Sequence, residues 1–294
     1  MKALTNPRRL VAALAVAAAG LLLTGCAASH PNQNTFAAGV DPGLGPIVIG
    51  SDGSAESRVV AALYEQLLVA AGKQARIAAT PYGTSADAAE AVVSGTLSLA
   101  PAYETALLRA FPGGQHLAGN TAATLSMALP VGIDALTSAA AQRGVVLAVT
   151  GATAKRYSLR TIADLARLPG GVALGGAAAQ DPDAPSATAL AKTYGVATAS
   201  GTGATTVLVL RGTDPTIAAD GLTVLSDPAG VIPPEHVLPL VNADYADKAT
   251  RTALAGLDSA LTTGQLATLA AEVSGGESPD KAASAWLRVH VSAH

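Results

Sequence analysis

The sequence predicts an α/β fold built as two lobes, and three features of the chain lead to this prediction. From residue 46 onward, short apolar runs alternate with longer segments whose apolar residues recur at helical spacing. A second series of the same kind begins near residue 145. Three amphipathic segments then close the chain. This order is typical of two α/β blocks followed by a helical tail that returns to cover the first block.

The first block alternates strand and helix, as right-handed crossover units on a largely parallel sheet do. Ser54 is a good helix N-cap, and Gly72 is a typical helix end. In such sheets the ligand lies beyond the carboxyl ends of the strands, so the loops at 51–54, 81–85 and 101–105 should line the site. The predicted order is strand Ile47–Ile49, helix Ser54–Gly72, strand Ala75–Ala79, helix Thr84–Gly95 and strand Leu97–Ala100.

The rest of the chain supplies further elements and the boundaries of the lobes. We expect lobe 1 to contain residues 46–144 and 242–294, and lobe 2 to contain residues 145–241, with a ligand cleft between them. The predicted helices are 123–129, 136–142, 153–157, 161–168, 189–194, 244–260, 262–273 and 278–289. The predicted strands are 145–149, 172–174, 206–210, 222–225 and 237–241.

The N-terminus has the pattern of a bacterial lipoprotein signal peptide. Three basic residues precede the apolar stretch Leu10–Leu23, which is too short to predict a membrane-spanning helix. Leu23-Thr24-Gly25-Cys26 then matches a lipobox, in which Cys26 is acylated, for instance with palmitate, and becomes the first residue of the mature chain. Residues 1–25 are therefore predicted to be a signal peptide and residues 26–45 a flexible tether. We expect lipid anchorage at the extracytoplasmic face of the cell membrane.

Charge and motifs argue against nucleic-acid binding and against catalysis. Removing residues 1–25 removes three basic and no acidic residues, so the formal net charge falls from −3 to about −6. An acidic surface does not suit nucleic acid. Gly50-Ser51-Asp52-Gly53 lacks the spacing of a nucleophile elbow, and Gly201-Thr202-Gly203 lacks the third glycine of a dinucleotide-binding turn. No enzyme activity, cofactor or metal is expected.

Six blocks between residues 46 and 290 together carry a resemblance to a known family. They are LYEQLL, PAYETALL, VLAVTGATAKRYSLRTIADLA, LVLRGTDPTI, GLTVLSDPAGVIPPEHVLPLV and LTTGQLATLAAEVSGGESPDKAASAWLR. In this order they resemble the substrate-binding proteins of osmoprotectant (glycine betaine, choline, carnitine) ABC importers. The resemblance implies a two-lobed periplasmic-binding-protein fold of the second type, with hinge closure around a small ligand.

The same resemblance implies a cage of tyrosines around a quaternary ammonium, and most of that cage is missing here. Tyr103 matches a cage tyrosine, whereas the positions of two other aromatic residues fall at Val145 and Arg211. The position of a polar or basic residue falls at Asp52, and the arginine usual in the loop near 180–186 has no counterpart. The candidate ligand-binding residues are Ser51, Asp52, Tyr103, Thr105, Val145, Arg211 and Thr213.

These departures favour a ligand other than a simple betaine. If Arg211 faces the cleft, its guanidinium group suits a carboxylate, a phosphate or vicinal hydroxyls, and Asp52 suits a hydroxyl or an amine. We expect a monomeric lipoprotein that delivers a small polar solute to the permease of an ABC importer. The alternative is a degenerate receptor that serves as a structural or signalling lipoprotein without transport.

Overall fold

Two β-sheets organise the residues that the computed structural model describes, which are 44–111, 121–201 and 203–291. The strands are β1 (Ile47–Ile49), β2 (Ala75–Ile77), β3 (Leu99–Tyr103), β4 (Ile133–Ala135), β5 (Val145–Thr150), β6 (Val172–Gly175), β7 (Thr205–Arg211), β8 (Leu222–Leu225) and β9 (Val237–Asn242). The first sheet has the order β2-β1-β3-β9-β4, and the second has the order β6-β7-β5-β8. The predicted two-lobed α/β fold is confirmed.

Helices cover both sheets; most lie close to predicted positions, whereas the helices at 104–110 and 216–219 were not predicted. The helices are α1 (Ala55–Ala70), α2 (Ser85–Val93), α3 (Glu104–Ala110), α4 (Thr121–Ala128), α5 (Gly151–Tyr157), α6 (Ala187–Tyr194), α7 (Thr216–Ala219), α8 (Lys248–Ala255), α9 (Thr263–Ser274) and α10 (Pro279–His290). The predicted helix at 161–168 is a 3₁₀ helix, Ile162–Arg167.

Short-range hydrogen bonds begin the two helices that flank the cleft side of the first sheet. The Ser54 hydroxyl accepts from the amide of Ser57 at the start of α1. Thr84 and Asp87 form a capping box at the start of α2. Both helices therefore start where the sequence predicts, directly after a loop that follows a strand.

The core of the first lobe is built around α1. β1 pairs in parallel with β2 and β3, as predicted, and α1 crosses the face of this sheet. The other side of α1 is covered by α8, α9 and α10, so the helical tail returns to the first lobe, as predicted. Fully buried side chains of α1 include Val59, Leu63 and Leu68. Removal of this apolar surface from water is the main source of stability in this lobe.

The second lobe has its own core on a mostly antiparallel sheet. β5 pairs antiparallel with both β7 and β8, and β6 pairs in parallel with β7. The apolar side chains of β5 and β7 pack against α6 and the 3₁₀ helix, with Ile162, Leu165 and Leu190 almost completely buried. β5 begins at Val145, where the sequence predicts a strand.

Two sequence-based assignments next to the cleft are corrected by strand pairing. Residues 136–142 are extended rather than helical, because Leu136 and Ala139 donate backbone hydrogen bonds to the carbonyl groups of Pro239 and Val237. β9 pairs with β3 and β4, so residues 237–241 lie in the first sheet, not in the second lobe to which the sequence analysis assigned them. Both corrections arise from contacts between distant parts of the chain, which local periodicity does not report.

The predicted signal peptide, the lipidation site Cys26 and nearly all of the predicted tether lie outside the described residues. Within the described ranges, no helix has both the length and the apolar character that crossing a bilayer requires.

Candidate ligand-binding cleft

Charged side chains from both lobes meet between the two sheets. On the side of the first lobe, Asp52 follows β1 and Tyr103 ends β3. Arg211 ends β7 of the second lobe. Arg143 and Glu235 lie on the two chain segments that connect the lobes. The site therefore combines strand ends of the first lobe, as predicted, with the connections themselves.

The two connections run antiparallel and place Arg143 beside Glu235. The amide of Arg143 donates to the carbonyl oxygen of Glu235 at 3.1 Å, and the amide of Val237 donates to that of Ala141 at 3.0 Å. Because backbone hydrogen bonds fix this pair, its side chains are held by the hinge region rather than by either sheet.

Arg143 lies on the face of the tyrosine that the sequence analysis selected. The guanidinium carbon of Arg143 is 3.5 Å from the centroid of the Tyr103 ring, well within the range of a cation–π contact. Its Nη1 lies 3.7 Å from Oδ2 of Asp52, and its Nε lies 3.7 Å from Oε2 of Glu235. Its Nη2 donates to Oγ of Ser85 at 3.3 Å. The aromatic face is thus covered by a cation of the chain itself.

The two other arginines of the cleft are also paired with carboxylates. Arg211 donates through Nη1 to Oε2 of Glu235 at 2.7 Å and through Nη2 to the carboxylate of Asp181. Arg109 of α3 donates to Oδ1 of Asp183 at 2.6 Å, a contact between the lobes. Arg211 faces the cleft, but the donors on both of its terminal nitrogens contact carboxylates of the protein. These contacts do not favour the carboxylate or phosphate clamp that the sequence analysis considered for this residue.

These groups form one connected set with an excess of negative charge. We call it the cleft cluster; its members are Asp52, Glu56, Arg109, Arg143, Asp181, Asp183, Arg211 and Glu235. Five carboxylates face three guanidinium groups, which leaves two negative charges in this set when all of them are ionised. Such a site attracts a neutral or cationic ligand and repels an anion.

Burial perturbs the ionisation of the cluster. Burial raises the pKa of Glu56 to about 6 from 4.5; Arg143 and Arg211 lower it, while Asp52 and Glu235 raise it further. Burial alone would lower the pKa of Arg143, but Tyr103 and the surrounding carboxylates raise it above its usual value. Arg143 therefore remains a cation. The carboxylate of Glu56 also contacts the hydroxyl of Thr213, which connects α1 to the second lobe.

Four buried polar atoms of the cleft have no hydrogen-bond partner among the described residues. They are Oη of Tyr103, Nε of Arg143, Oδ2 of Asp183 and Oε1 of Glu235. The two carboxylate oxygens need donors, and Nε of Arg143 needs an acceptor. Unpaired buried polar groups are costly, so this set is suited to a ligand that both donates and accepts hydrogen bonds.

A pocket of about 330 Å³ borders this cluster. It is lined on one side by the start of α1, on the other by the turn after β7, and at its rim by α9. Glu56, Arg143, Arg211 and Thr213 are among its lining residues. Its volume lies at the lower end of the range for small-molecule sites.

The structure brings together most of the predicted site residues but not all of them. Tyr103, Asp52 and Arg211 meet in the cleft, and Thr213 lines the pocket. Val145 does not join them: its side chain belongs to the core of the second lobe and lines a separate pocket of about 560 Å³.

The two remaining predicted residues lie at the edge of the site. Ser51 is buried, and its carbonyl oxygen accepts from the amide of Tyr82. The hydroxyl of Thr105 donates to the carbonyl of Pro234 at 3.0 Å, which ties α3 to the connection between the lobes. Both stabilise segments that carry residues of the cleft cluster.

The sequence analysis missed six members of the cluster: Glu56, Arg109, Arg143, Asp181, Asp183 and Glu235. Arg143 was missed because the residues before it were interpreted as a helix. The loop near 180–186, where the resemblance leads one to expect an arginine, supplies aspartates that bind arginines from elsewhere. The sequence did contain a signal for the acidic members of the cluster. Acidic residues follow β6 and precede β9, and both of these strand ends border the cleft.

Two sheets joined by an antiparallel pair of connections, with charged groups between them, define a two-lobed solute-binding protein. Residues 45–289 match the family model described as the substrate binding domain of the ABC-type glycine betaine transport system. The chain belongs to this family. The family consists of solute receptors rather than enzymes. No protein of curated function matches the chain by sequence.

Solved structures agree with this fold. A glycine betaine/carnitine/choline ABC transporter protein has a TM-score of 0.72 at 20% identity, over 84% of this chain and 98% of that one. The apo YehZ protein from Escherichia coli has a TM-score of 0.66 at 22% identity, over 84% and 99% of the two chains. The lactococcal protein in its closed-liganded conformation with glycine betaine has a TM-score of 0.51 at 13% identity, over 83% and 96%.

Proposed function

We propose that this protein is the extracytoplasmic solute receptor of an ABC importer and that it binds a small polar solute at the cleft cluster. Family membership supports the role of a receptor that delivers its solute to a permease. The charged groups between the lobes support the location of the site. The receptor acts as a monomer, since closure of two lobes around a ligand needs no second copy.

The lipobox supports a lipid anchor at Cys26 as part of this proposal. A lipid-anchored receptor stays at the membrane surface close to its permease. Cys26→Ser removes the thiol that is acylated, so the variant should leave the detergent phase in a phase-partition experiment while its folding remains that of the wild type. A variant that partitions like the wild type would contradict the anchor.

The ligand class follows from one observation, the two buried carboxylate oxygens that lack donors, Oδ2 of Asp183 and Oε1 of Glu235. A ligand that brings N–H or O–H groups would satisfy them. Glycine betaine has neither, because its nitrogen carries only carbon substituents. Leaving one such oxygen unpaired costs about 1–3 kcal/mol. We therefore propose a polyhydroxylated or amine-bearing solute, neutral or cationic, rather than a simple betaine.

Identification of a copurifying solute tests this proposal directly. Mass spectrometry of the small molecules released from the folded protein should detect a compound with several N–H or O–H donors. Asp183→Asn turns an acceptor into a donor and should weaken that compound about 10-fold or more in titration calorimetry. Asp220→Asn, at an exposed aspartate after α7, is the matched control and should bind like the wild type. A bound solute without donors would contradict the assigned ligand class.

One observation favours the alternative, a lipoprotein that does not transport. Arg109 with Asp183, and Glu56 with Thr213, connect the lobes directly. The test is a titration panel of polyols and amines together with analysis of copurifying solutes. If no solute copurifies and none in the panel binds, the contacts would hold the cleft closed and the proposed receptor function would be wrong.

A further inference from the structure

The surroundings of the Arg143 guanidinium group are those of a binding site for a cation. The ring of Tyr103, which is fully buried, lies below it at 3.5 Å. Carboxylate oxygens of Asp52 and Glu235 lie 3.7 Å from two of its nitrogens. An aromatic face flanked by carboxylates is an arrangement that recognises small organic cations. Here a side chain of the protein fills it.

We propose that Arg143 is the resident occupant of a cation subsite and the residue that excludes free organic cations from the ring face of Tyr103. This inference builds on the proposed function, because it concerns specificity at the same site. It assigns to Arg143 a role in selection: the subsite is intact, but its occupant is covalently attached to the hinge connection.

An attached cation has an advantage over a free one. A free guanidinium or ammonium ion loses translational and rotational freedom when it binds, whereas the Arg143 head group is already confined by its own backbone. That backbone is fixed opposite Glu235 by a hydrogen bond of 3.1 Å. A free cation with the same contacts therefore cannot displace Arg143 at ordinary concentrations.

Shortening this side chain should leave the subsite empty and strongly attractive to cations. Arg143→Ala keeps the ring of Tyr103 and the carboxylates of Asp52 and Glu235, and it raises the negative excess of the cleft cluster from two charges to three. Arg143 also lines the pocket of about 330 Å³, so the shortened side chain opens the ring face to that pocket. The ligand class for the emptied subsite is the planar organic monocations.

Chemical rescue with ethylguanidinium tests this, because ethylguanidinium is the fragment that Arg143→Ala removes. In the full-length folded protein, the variant should show a saturable rise in Tm, about 3 °C at ten times its Kd. Calorimetry should show one site on the variant and none on the wild type, with sodium chloride at the same ionic strength as the blank. Adding Tyr103→Leu to the variant should weaken the cation about 10-fold, since the ring face is lost.

Arg167→Ala is the matched control, because Arg167 pairs with Asp164 at 2.8 Å but lies exposed on the second lobe. It should gain no ethylguanidinium site. If Arg143→Ala does not fold alone, its refolding yield with and without the cation replaces the titration, and recovery only with the cation supports the inference. Equal behaviour of Arg143→Ala and the wild type, or no recovery, would overturn it. These results do not depend on the natural solute, so they are separable from a failure of the proposed function.

Discussion

The apolar core around α1 and the cleft cluster are both buried, yet they are held together by different forces. In the core, Leu63 and its neighbours are stabilised by removal of apolar surface from water. In the cleft, buried charges are stabilised only as long as each has a partner, because the desolvation of an ion is costly. The core can therefore lose one side chain at a moderate local cost, whereas the cleft is most sensitive to the loss of a charge that several partners share.

The largest loss of stability is expected for a substitution in the cleft cluster. Glu235 is almost completely buried and lies within ion-pair distance of Arg109, Arg143 and Arg211. Glu235→Ala should lower the free energy of unfolding by about 3–5 kcal/mol, because it removes a buried carboxylate that three guanidinium groups share, among them that of the mostly buried Arg143. Urea denaturation measures this loss. Glu235→Gln, which keeps the shape of the side chain, separates charge from packing, and a loss below about 1 kcal/mol for Glu235→Ala would contradict this description of the cleft.

The second-largest loss of stability is expected for a substitution in the apolar core around α1. Leu63→Ala removes a fully buried side chain from α1 and should cost about 2–5 kcal/mol, since the surrounding helices cannot collapse completely into the space. Val69→Ala, on the exposed face of the same helix, should change stability by less than about 0.5 kcal/mol. The affinity for the solute should be unchanged in both. A lower affinity in Leu63→Ala would show that the core and the cleft are coupled.

The smallest effect concerns the protonation of Glu56. Its pKa is raised to about 6 in the folded protein from 4.5, so the folded state holds the proton more tightly than the unfolded state. Glu56 therefore favours folding below pH 4.5, and this contribution, about 2 kcal/mol, is lost as the pH rises through 6. Glu56→Gln should thus gain about 2 kcal/mol relative to the wild type between pH 4 and pH 8.

Stability curves at several pH values measure this difference. Glu90→Gln, on the exposed side of α2, is the control. The same gain in the control would assign the effect to surface charge rather than to the burial of Glu56.

Local patterns were sufficient to predict the core but only part of the cleft. Ser54 and Thr84 begin their helices through hydrogen bonds within three residues, so the sequence reports them directly. The prediction of a helix at residues 136–142 was wrong, because the conformation of this segment is set by hydrogen bonds to β9. The family resemblance selected Tyr103 as a site residue, but the guanidinium group on its ring comes from Arg143 on a distant segment. No local signal reports such a pair.

Titration of the wild-type protein with glycine betaine shows whether Arg143 fills the cation position on Tyr103 and whether the open groups of the cleft require donors. Calorimetry should therefore show no binding in the micromolar range, where a true receptor of this solute would release about 8 kcal/mol of binding free energy. Binding of glycine betaine with a micromolar Kd would contradict this description of the cleft. The ligand would then have displaced Arg143 from the Tyr103 ring or bound at a different position.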